Sequence, residues 1–161
     1  MKSSMEGVEG SGRWWKVVEG GGRVVEDGGK LFKLFLMAEY MFSFEKLEVW
    51  QLARNLSKEI YQHTSSFPND EKFLLVSQLR RAAVSVASNI AEGTTRISPK
   101  DKAHFTTIAY SSLMEVLNQL IIAEDLGYLS HDIVSRMRTL IQTLSIKLSN
   151  LKASQLRKTA K

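Results

Sequence analysis

The chain of 161 residues contains no cysteine, which excludes disulfides, thiolate catalysis and cysteine metal sites and fits a cytoplasmic protein. Histidine is nearly as scarce. His63, His104 and His131 are the only three, all near predicted helix ends, and no Glu-x-x-His occurs. A metal site in a helical bundle needs that motif on two helices together with paired carboxylates, so Asp101-x-x-His104 alone does not supply one. No Gly-x-Ser-x-Gly elbow, phosphate-binding loop or dinucleotide fingerprint is present, and Gly20-Gly21-Gly22 has neither a strand before it nor a helix after it. The longest apolar stretch near the start, 31–38, is interrupted by Lys33 and is far too short to span a bilayer. It is also poorly placed as a signal peptide, because polar and glycine-rich sequence precedes it. Together these absences imply no catalytic group, no metal, no cofactor and no membrane partner.

Glycine is scarce outside the N-terminal quarter, since eight of the ten lie within residues 1–40. That stretch carries six basic and six acidic residues, so the net charge of +5 belongs to the remainder. Its glycine content raises the entropy cost of ordering it, and no sustained periodicity runs through it. We therefore expect a disordered extension over 1–40 and a folded domain over 41–161, with Met41 as the biological start. Trp14, Trp15, Val17 and Val18 allow a short strand or a docking peptide as an alternative.

From residue 42 onward the patterning is helical. Val49, Ala53, Leu56 and Ile60, spaced 4, 3 and 4 apart, predict a first helix over 47–64. The run Thr64-Ser65-Ser66-Phe67-Pro68-Asn69-Asp70 ends it with turn-forming residues and a proline that lacks a donor. A second helix is expected over 70–92, with Val76, Leu79, Ala83, Val86 and Ile90 inward and Gly93 as a left-handed residue after its end. Its many small side chains, Ala82, Ala83, Ser85, Ala87, Ser88 and Ala91, allow close approach of a neighbour. Ser98 as N-cap, Pro99 at the first helical position and Asp101 at the third start a third helix that runs to residue 126 and stops at Gly127. A fourth begins after Ser130, with Asp132 favoured by the dipole of its first turn and Val134, Met137, Ile141, Leu144, Leu148 and Leu151 in an a/d repeat. Short connections make sequence neighbours antiparallel, so the expected fold is all-α, an antiparallel up-down-up-down four-helix bundle.

In the third helix Leu113, Met114, Val116, Leu117, Leu120 and Ile121 cover an arc of roughly 160°, with Ile122 outside it, wider than the ~100° stripe a bundle helix needs. Association with further copies would use the excess; the alternative is cover by loops or helix ends.

Glu92, Glu115 and Glu124, with Tyr110, are the candidates for acid/base chemistry, but a structural reading of them is stronger. Glu92 stands at a helix C-terminus, where the dipole disfavours an anion, which points to a compensating Arg80, Arg81 or Arg96. A network of Arg81, Asn89, Glu92 and Glu115 closing the bundle end is expected. The cations give the functional lead. Arg80, Arg81, Arg96, Lys100 and Lys102 cluster about the connection between the second and third helices, while Lys147 and Lys152 follow the fourth toward the basic tail of Arg157, Lys158 and Lys161. Phosphate binding needs guanidinium or ammonium groups at a surface without any particular catalytic geometry. Dipole complementarity and solubility would also produce a basic tail.

Phe44-Glu45-Lys46-Leu47-Glu48-Val49-Trp50, then the run from Gln78 through Arg80-Arg81 to Asn89-Ile90-Ala91-Glu92-Gly93, then Ser111-Ser112-Leu113-Met114-Glu115 and Leu126-Gly127-Tyr128, resemble the bacterial four-helix-bundle proteins encoded in intervening sequences of 23S ribosomal RNA genes. The resemblance covers about 42–150. The family's motif residues correspond to Trp50, Arg81, Asn89, Glu92, Gly93, Glu115 and Tyr128. What it implies is a small cytoplasmic bundle that assembles as a ring, typically a homopentamer, with no known enzymatic activity. The chain is also similar to the accessory protein of diversity-generating retroelements, a basic pentamer that binds nucleic acid and a reverse transcriptase. The combined expectation is a non-catalytic homo-oligomer whose basic surface binds RNA or DNA nonspecifically. The alternative is a structural or adaptor protein that offers a helix groove to another polypeptide.

Overall fold

The computed structural model describes residues 41–157 and, nearer the N-terminus, the backbone of β1 (Glu6–Gly7) and β2 (Trp15–Lys16). The chain divides into two compact units, Met1–Met41 and Phe42–Lys161. In the first, β1 and β2 pair antiparallel with Glu6 opposite Lys16 and Gly7 opposite Trp15. This is a two-residue ladder where the sequence suggested a strand at most. The expected disorder of 1–40 falls on residues that otherwise lie outside those described.

In the second unit every regular element among the described residues is helical: α1 (Glu48–His63), α2 (Leu75–Thr95), α3 (Pro99–Asp125) and α4 (His131–Arg157), with 3₁₀ turns at Thr64–Ser66 and Asn69–Phe73. Each helix packs mainly on its neighbours in sequence, and α1 also meets α4. All the inward positions read from the periodicity of α1 and α2 are buried, as are those of α4 through Leu148. Leu56, Leu79, Leu113, Leu120, Ile141 and Leu144 are among the largest fully buried side chains. Burying a side chain of this size contributes about 1.5–3 kcal/mol, so these positions dominate the stability of the unit.

The wide apolar arc of α3 has an internal explanation, because α3 packs against both α2 and α4. Leu113, Val116 and Leu120 are buried, and Met114 and Leu117 are half-buried against the core. Ile121, at the edge of the arc, is half-buried, and Ile122, outside it, is exposed.

The start of α3 and the turn after it follow the sequence closely. Ser98 Oγ accepts from the Asp101 N–H, and Pro99 occupies the first helical position. At its far end Gly127 takes φ +73°, the left-handed conformation that an L side chain resists. Tyr128 then folds over the 3₁₀ segment. Its ring centroid is 5.3 Å from that of Phe67, and its hydroxyl donates to Glu71 Oε1 at 3.3 Å. Burial and, after it, the Glu71 carboxylate push the phenol above its ordinary range.

Two expectations for α2 are corrected. Its α-helical turns begin at Leu75 rather than near 70, because 69–73 wind as 3₁₀ and Leu74 breaks the path at φ −106°, ψ −111°. Glu71 Oε2 then accepts the free Leu75 N–H at 3.1 Å, a side-chain cap supplied from the preceding turn. The helix also runs past Gly93 to Thr95, and Gly93 keeps an ordinary helical φ. It is glycine at a buried position where a Cβ would sit 3.2 Å from Phe105 Cβ, so the close approach of α3 explains the residue.

Candidate nucleic-acid interface

Arg80 and Arg81 are consecutive on α2, and the ~100° turn between successive helical residues sends them different ways. Arg80 is half-buried. Its Nε donates to Thr64 Oγ1 at 2.9 Å and its guanidinium lies 4.7 Å from the Tyr61 ring centroid, while the Thr64 hydroxyl donates to the Ile60 carbonyl at 2.7 Å. Arg81 is exposed and makes no ion pair among the described residues. Both border an open groove of about 580 Å³ between the end of α1, the second 3₁₀ turn and α2. Tyr61, Lys72, Phe73 and Val84 line it with them, and no carboxylate does among the described residues. Lys72 Nζ stands 5.6 Å from the Phe73 ring centroid, and that ring is 80% exposed.

The other predicted cations lie apart from this groove. Arg96 pairs with Glu92 one turn back and covers the Phe105 ring at 4.3 Å from its centroid. Lys100 is exposed and Lys102 half-buried on the first turn of α3. Lys147 pairs with Glu48 at 2.8 Å, joining α4 to the start of α1. Lys152 borders a smaller hollow of about 200 Å³ with Thr106, Thr107, Tyr110 and Ser149. Thus Glu48 and Glu92 already neutralise two of the seven, whereas Arg80 and Arg81 meet no carboxylate among the described residues.

The expected network of Arg81, Asn89, Glu92 and Glu115 is not assembled. Asn89 Nδ2 donates to the Ser85 carbonyl at 2.8 Å and to Ser85 Oγ at 3.0 Å. Glu92 takes Arg96, which was one of the three partners anticipated for it, and Glu115 Oε1 accepts from Gln119 Nε2 at 3.0 Å. Asn89, Glu92 and Glu115 each find a partner one turn away on their own helix, where residues four apart are neighbours. Between α2 and α3 the polar link is instead Ser85 Oγ to Ser112 Oγ at 2.9 Å.

Sequence reasoning missed Tyr61, Lys72 and Phe73. The only signal for them was Lys72-Phe73 standing just before the apolar period of α2, and a helix begun at 70 absorbs it. The three histidines are dispersed: His63 ends α1, His104 packs edge-on to Phe105, and His131 Nδ1 lies 2.7 Å from Glu124 Oε1. Among the described residues no three His, Asp or Glu side chains gather as a metal would require, and no helix is long and apolar enough to cross a membrane.

The family model described as 23S rRNA-intervening sequence protein matches residues 45–150. The chain belongs to that family. Among solved structures, the family member is similar to the crystal structure of a protein with unknown function from the S23 ribosomal protein family of Bacteroides thetaiotaomicron, with a TM-score of 0.60 and 18% identity. The match covers 65% of this chain and 97% of that one. At that identity the likeness speaks for the shared helical fold. No curated protein matches the chain.

Proposed function

We propose that the protein is a non-catalytic antiparallel up-down-up-down bundle of the cytoplasm that associates with copies of itself, as a pentamer, and binds RNA or DNA nonspecifically through its cationic surface. The topology is supported by paired contacts that run in opposite directions along successive helices. Ser57 meets the Ala83 carbonyl while Thr64 meets Arg80, and Ser85 meets Ser112 while Gly93 approaches Phe105. Thr106 meets Gln155 while Glu124 meets His131. The ring of copies rests on the resemblance to the rRNA-intervening-sequence and retroelement-accessory proteins, with Ile121 and Ile122 as apolar surface on α3 that a second copy would cover.

The observation that carries nucleic-acid binding is the groove at Lys72, Arg80 and Arg81, three cations with no carboxylate in the lining among the described residues. Phosphates meeting such a surface release condensed counterions, so binding to a ribosomal RNA fragment should weaken steeply between low and physiological salt. Arg81→Ala should reduce the slope of log affinity against log salt by about 1. Absence of binding at low salt would remove the reading. Size-exclusion chromatography with light scattering, read with the absorbance ratio of the purified protein, reports assembly and bound nucleic acid together.

A second reading, an adaptor for another polypeptide, is favoured by the exposure of Tyr61, Phe73 and Val84 in the same groove. It predicts a co-purifying protein and an absorbance ratio free of nucleic acid.

A further inference from the structure

We infer that the groove between α1 and α2 takes unpaired nucleotides, with bases stacked on Phe73 and Tyr61 and the phosphate between them held by Arg81. The inference rests on the nucleic-acid reading above and specifies its form. Counterion-driven binding alone needs only cations on a surface and would treat single and double strands alike in kind. This groove adds something that duplex recognition does not use. Phe73 presents a ring that is 80% exposed and Tyr61 is 48% exposed, a costly display of flat apolar surface beside the only run of two arginines in the domain.

A ligand that complements the lining must be anionic, because Lys72, Arg80 and Arg81 meet no carboxylate there, and must carry flat π faces to cover the rings. An unpaired nucleotide has both properties on adjoining groups. A base pair inside a duplex hides its faces against its neighbours and offers only backbone to such a surface. The volume of about 580 Å³ falls within the usual range for a small-ligand site. The cations are also arranged for the purpose. Arg80 and Lys72 each lie over one aromatic ring, at 4.7 Å and 5.6 Å from the centroid, so each cation takes one face of its ring and a base covers the exposed remainder. Arg81, exposed beside them and without an ion pair among the described residues, is left for the phosphate.

The test is fluorescence anisotropy at low salt with the full chain, a short labelled single-stranded RNA of mixed sequence, and the same strand annealed to its complement. The single strand should bind more tightly. Phe73→Ala should lower single-strand affinity by between about fivefold and about a hundredfold, and by far more than it lowers duplex affinity. Phe73 is so exposed that the variant should fold, and a circular-dichroism melt checks it. Ile146→Ala, which removes an exposed apolar side chain from α4, should leave both affinities unaltered. Equal binding of both probes with no effect of Phe73→Ala would overturn the inference, leave the charge reading standing and return the groove to a polypeptide. Failure of both probes to bind would overturn the two readings together.

Discussion

The hydroxyls of Ser85 and Ser112 lie 2.9 Å apart and tie α2 to α3 where both side chains are small enough for the helices to approach. Ser112 is buried at 8% exposure, and Ser85 Oγ also accepts from Asn89, so the hydroxyl pair ends a three-residue chain of polar contacts inside an otherwise apolar seam. Ser112→Ala removes one bond while Asn89 still satisfies Ser85, and should cost about 0.5–1.5 kcal/mol in urea unfolding. Ser112→Leu, which must force the helices apart, should cost about 1–3 kcal/mol.

Gly93→Val should destabilise by about 1–3 kcal/mol, because the new side chain starts 3.2 Å from Phe105 Cβ, an atom fixed to the α3 backbone. Thermal melts measure it. Helix propensity acts the other way for alanine, which improves on glycine by about 1 kcal/mol in a helix interior, so Gly93→Ala should lie much closer to wild type.

Gly127→Ala tests the opposite cause. Nothing lies within 4 Å of a Cβ built there, yet φ is +73°. The expected loss of about 1–2 kcal/mol is conformational, and Gly127→Asn should recover part of it because asparagine tolerates the left-handed region.

The Glu92–Arg96 pair is exposed and spaced one turn apart, so Glu92→Gln should change stability by no more than about 0.5 kcal/mol. Arg96→Ala should cost more than Glu92→Gln, since it also uncovers Phe105. Equal losses from the two variants in a melt would deny the ring contact any part in folding.

Alkaline pH bears on Tyr128. Burial first, and then Glu71, raise its ionisation above the value of about 10 of a free tyrosine. At high pH the unfolded chain therefore gives up this proton before the folded chain does. The stabilisation is fully present below pH of about 10 and is lost as pH rises through the folded value. Melting temperatures taken across that window should fall more steeply for wild type than for Tyr128→Phe.

The helices were legible where one residue's chemistry decides an end. Ser98, Pro99 and Asp101 fix the start of α3, and Gly127 fixes the turn after it, through contacts within four residues. The ends of α2 were not, because no residue type in the pattern marks them. Glu71 caps Leu75 only after a 3₁₀ turn has rotated it into reach, and Gly93 is set by Phe105 on another helix. The site shows the same division. Arg80 and Arg81 stand out in any reading of charge, but Tyr61 and Phe73, twelve residues apart, reach one groove through a connection that carries no period. The supposed Asn89–Glu92 network failed because proximity in sequence says which groups are near, and not which acceptor lies one helical turn behind.

Arg80 is moored by Thr64 and Tyr61, whereas Arg81 beside it is exposed and has no ion pair among the described residues. Lysine in place of Arg81 retains an exposed positive end, but lysine in place of Arg80 forfeits both the guanidinium over Tyr61 and the Nε donor to Thr64, so identical exchanges at neighbouring positions carry unequal consequences.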